Sequence, residues 1–298
     1  MRVFVTGATG FVGTVVVQDL IAAGHTVLGL ARSDKGAASL AAAGAEVHRG
    51  DLEDLDSLRS GAAATDGVIH TGFIHDFSRF QEVCAVDRRA IEALGDTLAG
   101  SGRPLVITSG VGMGSTGPGR LASEDHLDRH HPNPRTASEL AAETLGERGV
   151  RVSVVRLPQV HNAEKQGLVT LMIAMAREKG VSAYVGDGLN RWSAVHVLDA
   201  APVYRLALEK GTTGARYNAV AEEGVPAREI AEAIGRGLKI PVVSVSPEGA
   251  AAHFGWFGMF AGMDLPASSE LTRQRLGWRP TQKAGLIEDL DNMNWSGI

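Results

Sequence analysis

Short, almost wholly apolar runs recur through the first half of the chain, at 3–6, 26–30, 45–48, 67–71, 105–109 and 152–156. Longer stretches with helical spacing separate them, at 11–23, 54–64, 77–99 and 136–147. Strands that read apolar at every position, rather than alternating, are strands buried on both faces. Their alternation with helices predicts an α/β fold, a doubly wound parallel sheet with right-handed crossovers. After residue 156 the rhythm loosens, with helices predicted over 168–179, 198–210 and 227–237 and a short strand over 242–245. A smaller C-terminal lobe on the edge of the sheet is expected. The division falls at 1–160 and 161–298, with the chain returning to the first unit near 186–200.

Composition narrows the class without changing the fold. The chain has 298 residues, 44% hydrophobic and 21% charged, with a formal net charge of −5. A chain of this size buries a sufficient core without staples, and an acidic balance gives no support to nucleic-acid binding. The one cysteine, Cys84, excludes an intrachain disulfide and reads as a small core residue. Met1-Arg2 leads directly into an apolar run, so no secretory leader and a cytoplasmic location are expected, and no apolar run is long enough to span a membrane.

The first strand runs into Thr6-Gly7-Ala8-Thr9-Gly10-Phe11-Val12-Gly13, which opens the first helix. A glycine motif in this strand–turn–helix context points to a dinucleotide. Gly7 permits the turn, Gly10 lets backbone approach a diphosphate, and Gly13 lets the helix sit close to the sheet. The helix N-terminus offers free N–H groups and partial positive charge to phosphates. The context makes the first unit a Rossmann domain. Where an NAD-selective site usually has a carboxylate, 19 residues beyond Gly13, stands Arg32, followed by Ser33 and Lys35. Arg32 offers a guanidinium to a 2′-phosphate and Ser33 a hydroxyl, while Asp34 is expected to point away. NADP(H) is favoured, with NAD(H) the alternative.

Taken with further segments, the chain resembles the extended or atypical short-chain dehydrogenase/reductases, also called the NAD-dependent epimerase/dehydratase family. Asp51-Leu52 resembles the pair that contacts adenine in that family, and Thr71-Gly72-Phe73 the segment lining ribose and diphosphate. Arg156-Leu157-Pro158-Gln159-Val160 resembles the strand end at the nicotinamide, which assigns Pro158 and Val160 to the cofactor. The segment from Gly186 to Asp199 and Leu276-Gly277-Trp278-Arg279-Pro280 resemble the substrate-lobe and C-terminal signatures. The resemblance covers nearly the whole chain and implies fold and cofactor, not substrate.

It breaks at the catalytic pair. Reductases of the family carry a Ser and a later Tyr-x-x-x-Lys. Here Ser109 ends the fifth strand, but Arg135 takes the Tyr position and Glu139 the Lys position, while Tyr184, Tyr204 and Tyr217 all come later. A lost general acid costs about 10²–10⁴-fold, which argues against the usual mechanism without excluding reduction. Arg135 and Glu139 are four apart and share one helix face. One reading has Arg135 bind a carbonyl or anionic oxygen, with Glu139 orienting it or holding the nicotinamide ribose. The other makes them a plain intrahelical pair. His75 and His161 are candidate replacement acids. His126, His130 and His131 lack companion ligands, and no metal site is expected.

The stretch 253–263, with Phe254, Trp256, Phe257, Met259, Phe260 and Met263, reads either as small-lobe packing or as a cover over an apolar substrate. The leading expectation is an NADPH-dependent oxidoreductase acting on a small apolar C=O or C=N compound. A non-catalytic NADP(H)-binding regulator and a nucleotide-sugar epimerase or dehydratase are the alternatives. The expected partner is a small molecule, and a homodimer through the helices at 77–99 and 136–147 is implied by the resemblance alone.

Overall fold

The structure is a computed structural model that describes residues 1–296; the side chain of Met259 lies outside the described ones. The first unit alternates β1 (Arg2–Thr6), α1 (Phe11–Ala22), β2 (Thr26–Ala31), α2 (Asp34–Ala42), β3 (Glu46–Arg49), α3 (Leu55–Ala63), β4 (Gly67–His70), α4 (Phe80–Leu98), β5 (Leu105–Gly110), α5 (Thr136–Glu147) and β6 (Val152–Leu157). The later elements are β7 (Gln159–His161), α6 (Val169–Lys179), β8 (Ser182–Val185), β9 (Arg191–His196), α7 (Val197–Lys210), β10 (Arg216–Asn218), β11 (Glu222–Pro226), α8 (Ala227–Leu238) and β12 (Val242–Val245). Four short helices follow, α9 (Ala250–Phe254), α10 (Gly258–Ala261), α11 (Glu270–Leu276) and α12 (Leu286–Asp291).

Seven parallel strands form the main sheet in the order β10-β6-β5-β4-β1-β2-β3. Successive residues of β1 serve opposite faces: Val3 and Val5 pack with α1 and α7, while Phe4 packs with α3, α4 and α5. This two-sided burial is why the runs read as continuously apolar. The strand order reverses between β1 and β4, which places a crevice at their C-terminal ends.

The chain does not divide cleanly at residue 160. After β7–β9, α7 returns to pack on α1, and β10 becomes the seventh strand beside β6. The return is longer than the expected stretch near 186–200. The smaller lobe contains a three-stranded sheet, β11-β9-β7, and a two-stranded one, β12-β8. Its separate core is drawn from α6, α8, α9, α10 and α12. The helix expected over 77–99 splits into a 3-10 turn, Phe77–Arg79, and α4. Among the described residues no helix is long and apolar enough to cross a membrane.

The outward face of α4, one of the expected dimer faces, carries Gln81, Glu82, Arg88, Arg89 and Asp96. Arg88 pairs with Glu92 and Asp96 with Arg148, so this face is charged rather than apolar.

Candidate active site

The glycine turn is shaped by contacts that only glycine tolerates. Gly7 has φ +65°, and a Cβ there would stand 2.6 Å from the Gly72 nitrogen. A Cβ on Gly13 would stand 2.0 Å from the Gly7 carbonyl oxygen. Gly10 differs, since its Cβ would meet only the Gly7 oxygen, at 3.1 Å. Packing therefore dictates Gly7 and Gly13, while Gly10 keeps the outer surface of the turn low, as a close-approaching diphosphate requires.

The start of α1 fits the same ligand. The Ser33 hydroxyl caps α2 by accepting from Gly36 N–H, and Asp54 caps α3 by accepting from Ser57 N–H. At Thr9-Gly10-Phe11-Val12 there is no side-chain cap and no acidic residue in the first turn. Gly10 N–H donates to the Gly7 carbonyl, and the N–H groups that follow have no side-chain cap, the arrangement that receives phosphate. Opposite it, Thr71 Oγ1 donates to the Thr6 carbonyl at 2.7 Å and Gly72 N–H donates to Thr6 Oγ1 at 3.2 Å. Thr71 and Gly72 thus knit β4 to β1 beneath the crevice.

At the adenosine end, Arg32 is 79% exposed, with Nε 3.7 Å from Asp51 Oδ2. Asp34 turns away and pairs with Arg49 at 2.7 Å, so the carboxylate beside Arg32 is that of Asp51. Asp51 Oδ1 accepts from Glu53 N–H, and Leu52 packs toward Gly72. The dinucleotide expected from the sequence fits these residues.

At the reacting end, Ser109 is 4% exposed, and its hydroxyl makes no hydrogen bond among the described residues. Arg135 precedes α5 and lies over Phe73, its Cζ 3.8 Å from the ring centroid. Its Nη2 donates to the Thr108 carbonyl at 3.1 Å. Its Nη1 is buried without a hydrogen bond, 3.5 Å from Asp87 Oδ2.

Asp87, on α4, was not flagged by the sequence, yet it organises this end. It accepts from Ser138 and faces His70 Nε2 at 3.1 Å, while His70 Nδ1 lies 2.7 Å from Thr6 Oγ1. Thr6 accepts from Gly72, so its O–H is free to donate to His70 Nδ1, and His70 then donates from Nε2 to Asp87. Burial alone would raise the Asp87 pKa, but Arg135, His70 and Ser138 hold it below the usual carboxylate range. An ionised Asp87 therefore anchors Arg135 through a buried chain that begins at the glycine turn.

Two expected catalytic residues have other work. Glu139 is not beside Arg135. Its fully buried carboxylate receives Arg156 from Nε and Nη2, both at 2.8 Å, and Arg216 Nε at 2.9 Å. Arg156 also donates to the Ser123 and His126 carbonyls, which ties the 115–135 segment to the sheet. The spacing of four on α5 is real, but strand residues claim Glu139 while Arg135 reaches back over Phe73. His161 is likewise buried, with Nδ1 2.6 Å from Asp289 on α12 and Nε2 3.7 Å from Glu222. Burial outweighs both carboxylates and holds His161 below the ordinary histidine range. It fastens α12 to β7 rather than opening to the crevice. Val160 is core, and Pro158 is partly buried at the β6–β7 turn.

His75 remains at the rim of the crevice, edge-on to Phe73 at 5.5 Å and to Phe77 at 6.1 Å. Burial, then the Arg135 charge, and more weakly Lys165, lower its pKa against a hydrogen bond to the Phe73 backbone. Lys165, which no sequence motif marks, has its Nζ 5.5 Å from the Phe11 ring centroid. The aromatic stretch divides between its two readings. Phe254, Phe257 and Phe260 pack the smaller lobe, whereas Trp256, 45% exposed, crosses to stack on Phe77 at 4.7 Å. Cys84 is buried and its pKa pushed up to about 11, chiefly by desolvation. Among the described residues no cluster of His, Cys, Asp or Glu could hold a metal.

Comparison with known proteins places this geometry. An uncharacterized protein of Schizosaccharomyces pombe is 51% identical over 291 residues, covering 97% of this chain and 98% of that relative. One of Saccharomyces cerevisiae is 45% identical over 294 residues, covering 97% and 98%. The solved UDP-glucose 4-epimerase of Thermus thermophilus, at 22% identity, superposes with a TM-score of 0.76 over 100% of this chain and 99% of that one, a likeness of fold. The NAD dependent epimerase/dehydratase family matches residues 3–220, and the chain belongs to that family of NAD-dependent enzymes.

Proposed function

We propose that this protein is an NADPH-dependent reductase of a small, apolar carbonyl or imine compound. The observation that carries the reading is the buried Ser109 hydroxyl, without a hydrogen bond among the described residues, next in the chain to the Thr108 carbonyl that receives Arg135 Nη2. A buried hydroxyl without a partner is rare, and beside a guanidinium it suits a substrate oxygen. The bound nicotinamide would supply the hydride. Ser109 and Arg135 would hold the carbonyl oxygen and stabilise the charge that develops on it. Arg135 stays protonated, and His75 is held neutral near pH 7, so water at the open rim delivers the proton. Exposed Arg32 supports the preference for a 2′-phosphate. Phe73, Phe77 and Trp256 supply the apolar wall.

The test is NADPH oxidation at 340 nm against apolar ketones, aldehydes and cyclic imines, with Ser109→Ala and Arg135→Ala in parallel. Each variant is expected to lose about 10²–10³-fold in kcat, the cost of one oxyanion donor. Tight NADPH binding with no turnover of any compound would refute the reductase and favour a cofactor-sensing regulator.

A further inference from the structure

We propose that Lys165 is a cofactor-binding residue, its ammonium closing over the dinucleotide's diphosphate from the side opposite the glycine turn. From Thr6 to Thr14 there is no Lys or Arg, so backbone N–H groups alone would face the two negative charges of a diphosphate. Lys165 stands near that turn. Its Nζ lies within 5.5 Å of the ring of Phe11, the first residue of α1, and its charge reaches His75 on the other wall of the crevice.

The loop that carries Lys165 is built rather than slack. Asn162 Oδ1 accepts from Glu164 N–H and Lys165 N–H, and Asn162 N–H donates to the Lys165 carbonyl. Gln166 donates from Nε2 to the Asn162 carbonyl, and Gly167 N–H donates to the Val160 carbonyl. The backbone therefore holds Lys165 at the mouth of the crevice while its side chain stays exposed. Among the described residues no carboxylate stands within ion-pair distance of its Nζ, which only faces an aromatic ring. Such a contact is worth less than a charge-assisted hydrogen bond to phosphate.

The inference rests on dinucleotide binding and not on the reductase reading, so it is tested by binding alone. Dissociation constants of NADPH and NADH would be measured with the full chain by tryptophan fluorescence and calorimetry, for wild type, Lys165→Ala, Lys165→Arg and Arg32→Ala. The diphosphate is common to both cofactors and the 2′-phosphate is not. Lys165→Ala is expected to raise Kd for both by the same factor, about five- to tenfold at low salt, and by less as KCl screens the contact. Lys165→Arg is expected to stay within about twofold of wild type, and Arg32→Ala to weaken NADPH alone. Unchanged affinity for both cofactors in Lys165→Ala, or a loss confined to NADPH, would overturn the proposal.

Discussion

Removing the Glu139 carboxylate tests whether it is structural or catalytic. It lies fully buried between Arg156, itself fully buried, and Arg216, which is 15% exposed. Breaking a buried pair by deleting one partner leaves an uncompensated charge and costs about 3–5 kcal/mol. In Glu139→Ala, Arg156 keeps only the Ser123 and His126 carbonyls as acceptors. At about 2.1 cal/mol/K per residue, a chain of 298 residues shifts in Tm by roughly 1.5–2 °C per kcal/mol. The expected fall is therefore about 5–10 °C in a thermal melt. Glu139→Gln, which keeps one acceptor oxygen and the volume, is expected to lose about 1.5–3 kcal/mol. Limited proteolysis of Glu139→Ala should quicken within 115–135, since Arg156 holds that segment. The NADPH Kd of the folded variant should stay within about twofold of wild type, because the glycine turn is built on other contacts. A Tm unchanged to within about 1 °C, with NADPH binding weakened tenfold, would refute the reasoning and return Glu139 to the ribose.

Two further predictions follow from individual groups. Gly10→Ala meets only one oxygen at 3.1 Å and should melt near wild type while losing at least about tenfold in NADPH affinity; Gly13→Ala, with a Cβ 2.0 Å from the Gly7 oxygen, should lose several degrees of Tm as well. Equal melting of the two, measured by circular dichroism, would contradict the division of roles. His161 has a folded pKa below its unfolded value, so the unfolded chain takes up the proton first. Its contribution to stability is present above about pH 6.5 and is lost as pH falls from there through the folded value. The Tm advantage of wild type over His161→Gln should therefore shrink between pH 7 and pH 5, and an advantage that grew on acidification would reverse the sign assigned here.

The two-sided apolar runs and the glycine turn were legible because their physics is local. Val3, Phe4 and Val5 must be apolar together if both faces of β1 are covered, while Gly7 supplies the turn's φ of +65° and Gly13 lies against the Gly7 carbonyl. Arg32 was legible for the same reason, since strand and loop length alone put it beyond the end of β2. The α2 helix is hard to read from sequence because Gly36 and its alanines give it little amphipathic pattern, although Ser33 caps it. The reacting end was only half legible. Ser109 lies near the end of β5 and Arg135 just before α5, but their neighbour Asp87 reads in sequence as an ordinary polar residue of α4.

Tertiary structure decided the rest, because an ionisable side chain takes its role from partners that are remote along the chain. Glu139 was assigned to Arg135 by helix spacing, and β6 and β10 supplied two closer arginines. His161 looked like an acid three residues beyond Pro158, and Asp289, 128 residues away, turned it into a clasp for α12. Lys165 carried no motif, and only the turn after β7 brought it beside Phe11. The pattern of apolar and glycine residues determined where backbone goes and which ligand its turn receives. Which charges meet at that ligand was fixed by folding, since burial makes a charge find its partner wherever the chain has placed one.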